Sequence, residues 1–446
     1  MKKKIEILKK DKKYIWHPFT QMKDYEKKDH IVIKEGKGVF LYDYEGNEYY
    51  DTISSWWVNM HGHQNPRINQ AIINQLNKIE HVNFSGFTHE PGVELAKRIV
   101  DLMPEDLTKL FYSDNGSTAV EVALKMSFQY WKNIGVDKKD KFIFFENSYH
   151  GDTLGAVSVG GVDIFHSAYE PLLFESYKLK SPNCVNCRLG KNPANCNIEC
   201  MDILEETLKK HHSEISAIII EPLVQAAGGM LFYEPKALKK ISELSKKYNV
   251  HFIDDEVAMG FGRTGEMWAF EHAGITPDFV CLSKGISAGY LALAATVMTE
   301  EIYQAFYDDN NKLKTFFHGH SYTANPLACA AGVESLKIFE ETNLIEKIKE
   351  KSKYLKEKMK VFEKNPKIKN IRVIGLIGAM DLEMGGDSKE NLEKTIGNKL
   401  YEKAFEHGLV FRPLGDTVYY MLPHSVKKEE IDQIITRTLS LFEEVL

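Results

Sequence analysis

Residues 277–285 read Pro277-Asp278-Phe279-Val280-Cys281-Leu282-Ser283-Lys284-Gly285. The unbroken apolar run Phe279–Leu282 predicts a short strand buried on both faces, because a half-exposed strand would alternate apolar and polar residues. Runs of the same kind occur at Phe142–Phe145, Ala217–Ile220 and His251–Ile253, and Leu110–Ser113 adds a further short strand. Helical segments lie between some of them, notably Gly116–Asn133 and Pro235–Tyr248. Strands alternating with helices predict an α/β fold with a large, mostly parallel sheet. Ligands of such sheets bind outside the carboxyl ends of the strands. The end of the Phe279–Leu282 run carries Lys284, which makes this lysine the first candidate functional residue.

The rest of the chain extends that core in both directions. With 446 residues it is too long for a single core, which rarely grows past about 250–300 residues. Residues 1–60 read as an N-terminal arm with short strands at Ile31–Ile33, Val39–Tyr42 and Glu48–Tyr50. Residues 61–335 form the large α/β domain, and 336–446 a smaller α+β domain that the N-terminal strands join. In the latter, Lys337–Glu363 reads as one long charged helix, Ile371–Leu382 as strands, Leu392–His407 as a helix and Gly408–Leu422 as strands. An apolar content of 43% with 27% charged residues excludes wholesale disorder and repeat fibres. A net charge of −6 gives no basic excess for nucleic acid. No apolar run approaches the length of about 18–20 residues that a spanning helix needs. The start, MKKKIEILKKDKK, has positive charge and no apolar segment after it, so the expectation is a cytoplasmic protein with small-molecule substrates.

Six segments carry chemistry. Lys284, in an apolar cleft, would have its amine pKa depressed and could condense with a carbonyl cofactor; the alternative is a lysine reaching past the strand end to solvent. The strand His251-Phe252-Ile253-Asp254-Asp255 ends in acids, and Asp255 either faces a cationic ring nitrogen or belongs to a solvated acidic loop. Gly116 and Ser117 open a helix directly after a strand, where backbone N–H groups make an anion site as readily as an ordinary cap. Tyr149 lies just beyond an apolar run and could stack on a flat ring. His318-Gly319-His320-Ser321-Tyr322-Thr323 is a polar, turn-rich stretch, and Arg412 could clamp a carboxylate or form a surface ion pair.

Taken together, D-E-V-A-M-G-F-G-R-T-G from Asp255, S-K-G around Lys284 and H-G-H-S-Y-T-A-N-P-L-A from His318 resemble the class III pyridoxal-phosphate aminotransferases, from about Trp16 to Leu446. Trp16-His17-Pro18-Phe19-Thr20-Gln21-Met22, Ser54-Ser55-Trp56-Trp57 and Tyr149-His150-Gly151-Asp152-Thr153 are similar to the biotin-pathway branch, which aminates 8-amino-7-oxononanoate. The resemblance implies a fold-type I transferase, with a large domain and a small domain built from both termini. It implies a homodimer with shared active sites and pyridoxal 5'-phosphate as cofactor. Carried over by position, Lys284 holds the cofactor, Asp255 faces its ring nitrogen and Tyr149 stacks near the ring. Gly116 and Ser117 hold the phosphate, helped by His320 and Ser321 of the other subunit. Phe19, Trp56, Trp57, Tyr149, Gly319 and Arg412 line the substrate site. S-Adenosylmethionine is the common amino donor of the branch. Phe19 replaces a common tyrosine, and His320-Ser321 a common Pro-Thr; both departures resemble a lysine-using branch.

Cys184, Cys187, Cys196 and Cys200 form C-x2-C-x8-C-x3-C in an insertion at about 181–200. Four clustered thiols in such a chain fit a structural zinc ion or an iron–sulfur cluster, or a loop of free thiols.

Overall fold

The central sheet of the computed structural model, which describes residues 2–383 and 396–446, has seven strands in the order Leu107–Ser113, Ala294–Thr299, Phe279–Leu282, His251–Asp255, Ile215–Ile220, Lys141–Phe145 and Tyr177–Leu179. All run the same way except Ala294–Thr299, which is antiparallel to both neighbours. The apolar runs occupy its centre: every residue of Ile215–Ile220, His251–Asp255 and Phe279–Leu282 is buried. Helix Gly116–Asn133 spans the predicted residues and packs Val120, Val122 and Ala123 into the core on one face of the sheet.

The termini meet in a smaller region. Strand Leu409–Val410 pairs in parallel with Glu48–Asp51, completing a four-stranded sheet with Ile33–Lys37 and Phe40–Asp43. Ile368–Ile374, Ile377–Leu382 and Thr417–Met421 make a second, antiparallel sheet. Parallel pairing across more than 350 residues brings the N-terminal strands to the C-terminal segment.

Three expectations change. The N-terminal arm begins as a helix, Lys2–Tyr14, docked through Lys4 on Glu45 (2.7 Å) and through Lys12 on the carbonyls of Glu26 and Lys28. The predicted helix Lys337–Glu363 is two, Pro326–Glu341 and Leu344–Met359. Asn343 separates them with φ 49°, a left-handed conformation that asparagine tolerates and that stops a right-handed helix. The predicted helix from Leu392 is seen from Ile396 to Ala404, its start lying outside the described residues.

The four-thiolate metal reading is corrected. Cys184, Cys187, Cys196 and Cys200 are free and half-buried, and among the described residues no three His, Cys, Asp or Glu side chains are arranged to hold a metal ion. The insertion folds as turns in which Cys184 Sγ donates to the Pro182 carbonyl at 3.6 Å and Cys196 Sγ to Glu199 at 3.5 Å, while the thiols stay near enough to act on one another electrostatically. Burial pushes the Cys200 thiol up to about 11 and raises Cys184. Among the described residues no helix is long and apolar enough to cross a membrane.

Candidate active site

The carboxyl ends of adjacent parallel strands converge on one cavity of about 1010 Å³. Strand order decides which residues meet there. Lys284 follows Phe279–Leu282, Asp255 ends the next strand, Glu221 follows Ile215–Ile220, and Tyr149 and His150 lie beyond Lys141–Phe145. Gly116 and Ser117 follow Leu107–Ser113. All of these line the cavity, together with Phe19, Trp56, Trp57 and Arg412. Gly319, His320 and Ser321 do not line it within this chain, and Gly319 and Ser321 are exposed.

Lys284 stands with φ 41° on a short turn, and its Nζ lies 5.0 Å from the centroid of the Trp57 ring. Among the described residues the amine has no carboxylate partner within ion-pair distance. Burial lowers its pKa, partly opposed by the charges of Asp255 and Glu221, while the Arg263 guanidinium lowers it further. The sequence expectation of an activated amine therefore has a physical basis: removal from water disfavours the cation and no close anion restores it.

Asp255 is buried and bound on both oxygens. Oδ2 accepts from His150 Nδ1 at 2.6 Å, and Oδ1 accepts from the Val257 N–H at 3.1 Å. His150 is itself buried, and its Nε2 has no hydrogen-bond partner. Glu221 is buried beside it, accepting the N–H groups of Tyr149 (2.9 Å) and Ala226 (2.9 Å), and burial pushes its carboxyl up to about 7. Neither His150 nor Glu221 was assigned a role from the sequence. The signal for Glu221 was present, since a polar residue directly after the all-apolar run Ala217–Ile220 stands at the ligand edge.

The helix start that faces the cavity is capped at its third residue only. Asn115 and Thr118 form a reciprocal cap, Thr118 N–H to Asn115 Oδ1 at 3.2 Å and Asn115 N–H to Thr118 Oγ1 at 3.1 Å. The cap satisfies the third N–H and leaves those of Gly116 and Ser117, which have no acceptor within the helix, at the cavity wall. Glycine is required at both contacts behind them. A Cβ on Gly116 would stand 2.7 Å from Val257 Cγ1, and one on Gly151 (φ +126°) would stand 1.8 Å from Ser117 Oγ.

The tryptophan wall is backbone-strained. Ser54, Ser55, Trp56 and Trp57 are consecutive left-handed residues with φ of 50°, 48°, 73° and 73°. Such residues cost about 1–3 kcal/mol each and persist where surrounding contacts over-determine them. Here the Asp51 carboxylate accepts Ser55 N–H and Ser55 Oγ–H, both at 2.7 Å. The fully buried Arg263 donates to Ser54 Oγ and to the carbonyls of Trp57, Asn59 and Leu422. The turn separates the two rings. Trp57 is buried under Lys284, its Nε1–H donating to Tyr419 Oη at 3.0 Å, whereas Trp56 stands open to the cavity with the Arg412 guanidinium 4.1 Å from its centroid. Tyr149 donates its hydroxyl to Asp152 Oδ2 at 2.7 Å.

A buried amine, a buried carboxylate and a free helix start around one cavity describe a transferase of amino groups, and the chain belongs to the class-III aminotransferase family, whose pattern matches residues 22–441. Among its relatives is the adenosylmethionine-8-amino-7-oxononanoate aminotransferase of Geobacter sulfurreducens, 45% identical over 95% of this chain and 94% of that protein. The enzyme of the same name from Aquifex aeolicus is 44% identical, with 95% and 94% covered. Among solved structures, the adenosylmethionine-8-amino-7-oxononanoate aminotransferase of Methanocaldococcus jannaschii superimposes with a TM-score of 0.93 at 36% identity, covering 99% of both chains. The omega transaminase of Pseudomonas jessenii in complex with PMP gives 0.92 at 29% identity, covering 98% and 97%.

Proposed function

We propose that this chain transfers the amino group of S-adenosylmethionine to 8-amino-7-oxononanoate, forming 7,8-diaminononanoate for biotin, with pyridoxal 5'-phosphate as cofactor. The observation that carries the reading is the Lys284 amine, lowered in pKa and without a close anion, in the same cavity as the buried Asp255. The residues present fit the cofactor. Gly116 and Ser117 N–H groups suit its phosphate, Asp255 its ring nitrogen, Tyr149 a ring face and Lys284 its aldehyde. When bound, pyridoxal phosphate supplies an electron-withdrawing ring that acidifies the carbon bearing the transferred nitrogen.

The chain's own groups do the rest. Lys284 Nζ takes the proton from the donor carbon and returns it during product formation, the work of a base with a lowered pKa. Asp255, held by His150, sets its carboxyl group against the ring nitrogen. Arg412 takes the terminal carboxylate of the acceptor, and Trp56 packs along its chain. Phe19 and Trp56 face the donor, while Trp57 supports Lys284 from beneath. We assign the large domain to 61–335 and the small domain to 1–60 with 336–446, which the pairing of Leu409–Val410 with Glu48–Asp51 supports.

The second subunit completes the site. Gly319, His320 and Ser321 lie away from this chain's cavity, flanked by the largely exposed Phe317 and Tyr322. In a homodimer they reach the partner's site, His320 and Ser321 at the phosphate and Gly319 at the substrate. Heterodimers of Lys284→Ala chains with Ser321→Trp chains should then recover activity that neither homodimer has; verified heterodimers without recovery would make each site self-contained. The function itself is tested by supplying purified protein with both substrates and measuring 7,8-diaminononanoate. Turnover of other oxo acids without that product would overturn the acceptor, and a higher kcat/KM for lysine than for S-adenosylmethionine would overturn the donor.

A further inference from the structure

We propose that Phe165 is a specificity-determining residue for the amino donor, the closing wall of an aromatic box that seats the donor's distal sulfonium. The inference rests on the reading above and names what selects the donor within it. Phe165 stands on a single helical turn, Asp163–His166, and its half-buried ring faces the cavity. It meets Phe19 edge-on at 5.3 Å and Tyr149 edge-on at 6.1 Å, and Phe19 meets Trp56 edge-on at 5.8 Å. Trp56, Phe19, Phe165 and Tyr149 thus form one continuous run of rings along the cavity wall, drawn from four separate segments of the chain.

The same cavity already seats a guanidinium and an amine on aromatic faces. Arg412 sits 4.1 Å from the Trp56 centroid and Lys284 5.0 Å from that of Trp57. No side-chain cation of the described residues occupies the Phe19, Phe165 or Tyr149 rings, which leaves that part of the wall for a cation brought by the substrate. Its chemistry is restricted. Phe19 and Phe165 offer no hydrogen-bond acceptor, whereas the Tyr149 hydroxyl donates to Asp152 and keeps its oxygen as an acceptor. A primary ammonium between the Phe19 and Phe165 rings would lose water from its N–H donors, and could replace it only at the Tyr149 oxygen and the Asp152 carboxylate. A sulfonium carries its charge without N–H groups, and its alkyl substituents gain from apolar burial, so the rings reward it with cation–π attraction at small desolvation cost. The exposed Asp152 adds a carboxylate at the rim. The missing phenol at Phe19 removes one acceptor from the box.

The test uses the holoenzyme and follows the donor half-reaction by the absorbance of the bound cofactor, with S-adenosylmethionine, the neutral thioether S-adenosylhomocysteine and L-lysine. Phe165→Leu should raise the KM for S-adenosylmethionine about 3- to 30-fold, the range of a partly desolvated cation–π contact, with kcat changed less than twofold. It should narrow the preference for the sulfonium over the thioether and leave the acceptor half-reaction unchanged. Phe165→Trp, which keeps a π face, should stay near wild type. An unchanged donor KM in Phe165→Leu, or equal losses with sulfonium, thioether and acceptor, would overturn the inference. A wild-type enzyme that uses none of these donors would instead overturn the proposed function.

Discussion

Replacing Arg412 by methionine isolates the carboxylate clamp, because the methionine keeps a similar apolar stem while the guanidinium has no carboxylate partner among the described residues to leave unpaired. A hydrogen-bonded ion pair to a substrate carboxylate contributes about 1.5–3 kcal/mol. Against it stands the cation–π contact with Trp56, 4.1 Å from the centroid, which the guanidinium gives up in part when it turns to the ligand. At a solvent-accessible site that contact contributes about 0.5–1 kcal/mol. The difference, about 0.5–2.5 kcal/mol, predicts a loss of about 2- to 60-fold in kcat/KM for 8-amino-7-oxononanoate at about 1.4 kcal/mol per decade. The assay is the acceptor half-reaction, run beside the same aminoketone lacking its terminal carboxyl group. Wild type and Arg412→Met should be equal on the truncated acceptor. Equal losses on both acceptors would refute the clamp and make Arg412 a support for Trp56.

Borohydride reduction of the holoenzyme should attach the cofactor to Lys284, seen as a labelled peptide containing that residue; a label on another lysine refutes the assignment, and Lys284→Ala should lose turnover while keeping its fold. Arg263→Met should destabilise the protein by about 1–3 kcal/mol for each of the Trp57, Asn59 and Leu422 carbonyls it leaves unpaired; a denaturation midpoint equal to wild type would show that the left-handed tryptophan turn holds itself. Burial raises Glu221 from 4.5 to about 7, so the folded chain keeps a proton that the unfolded chain releases, and stability present below pH 4.5 is lost as pH rises through 7. That shift corresponds to about 3 kcal/mol. Urea titrations of the apoprotein at pH 5–8 should show the decline, and Glu221→Gln should flatten it; an unchanged slope would mean that other groups carry it.

Much of this protein follows from local sequence. Continuous apolar runs such as Phe279–Leu282 require burial on both faces, which only the centre of a covered parallel sheet supplies, and the residues ending those runs stand at its ligand edge. Lys284, Asp255 and the Gly116–Ser117 helix start were legible for that reason. What the sequence left open are properties of position across the fold. His150 reaches Asp255 because strand Ile215–Ile220 lies between their two strands and sets the spacing, a consequence of strand order that no local pattern encodes. Trp56 and Trp57 are adjacent in sequence, yet one opens to the cavity and the other lies against the lysine, since Arg263 and Asp51 hold their turn left-handed from more than 200 residues away and from the strand before it. Phe165 joins the aromatic wall through tertiary contacts with Phe19 and Tyr149. Periodicity and turn chemistry act over a few residues and so can be read along the chain; which side chains share a cavity depends on packing between segments far apart, and only the folded arrangement decides it.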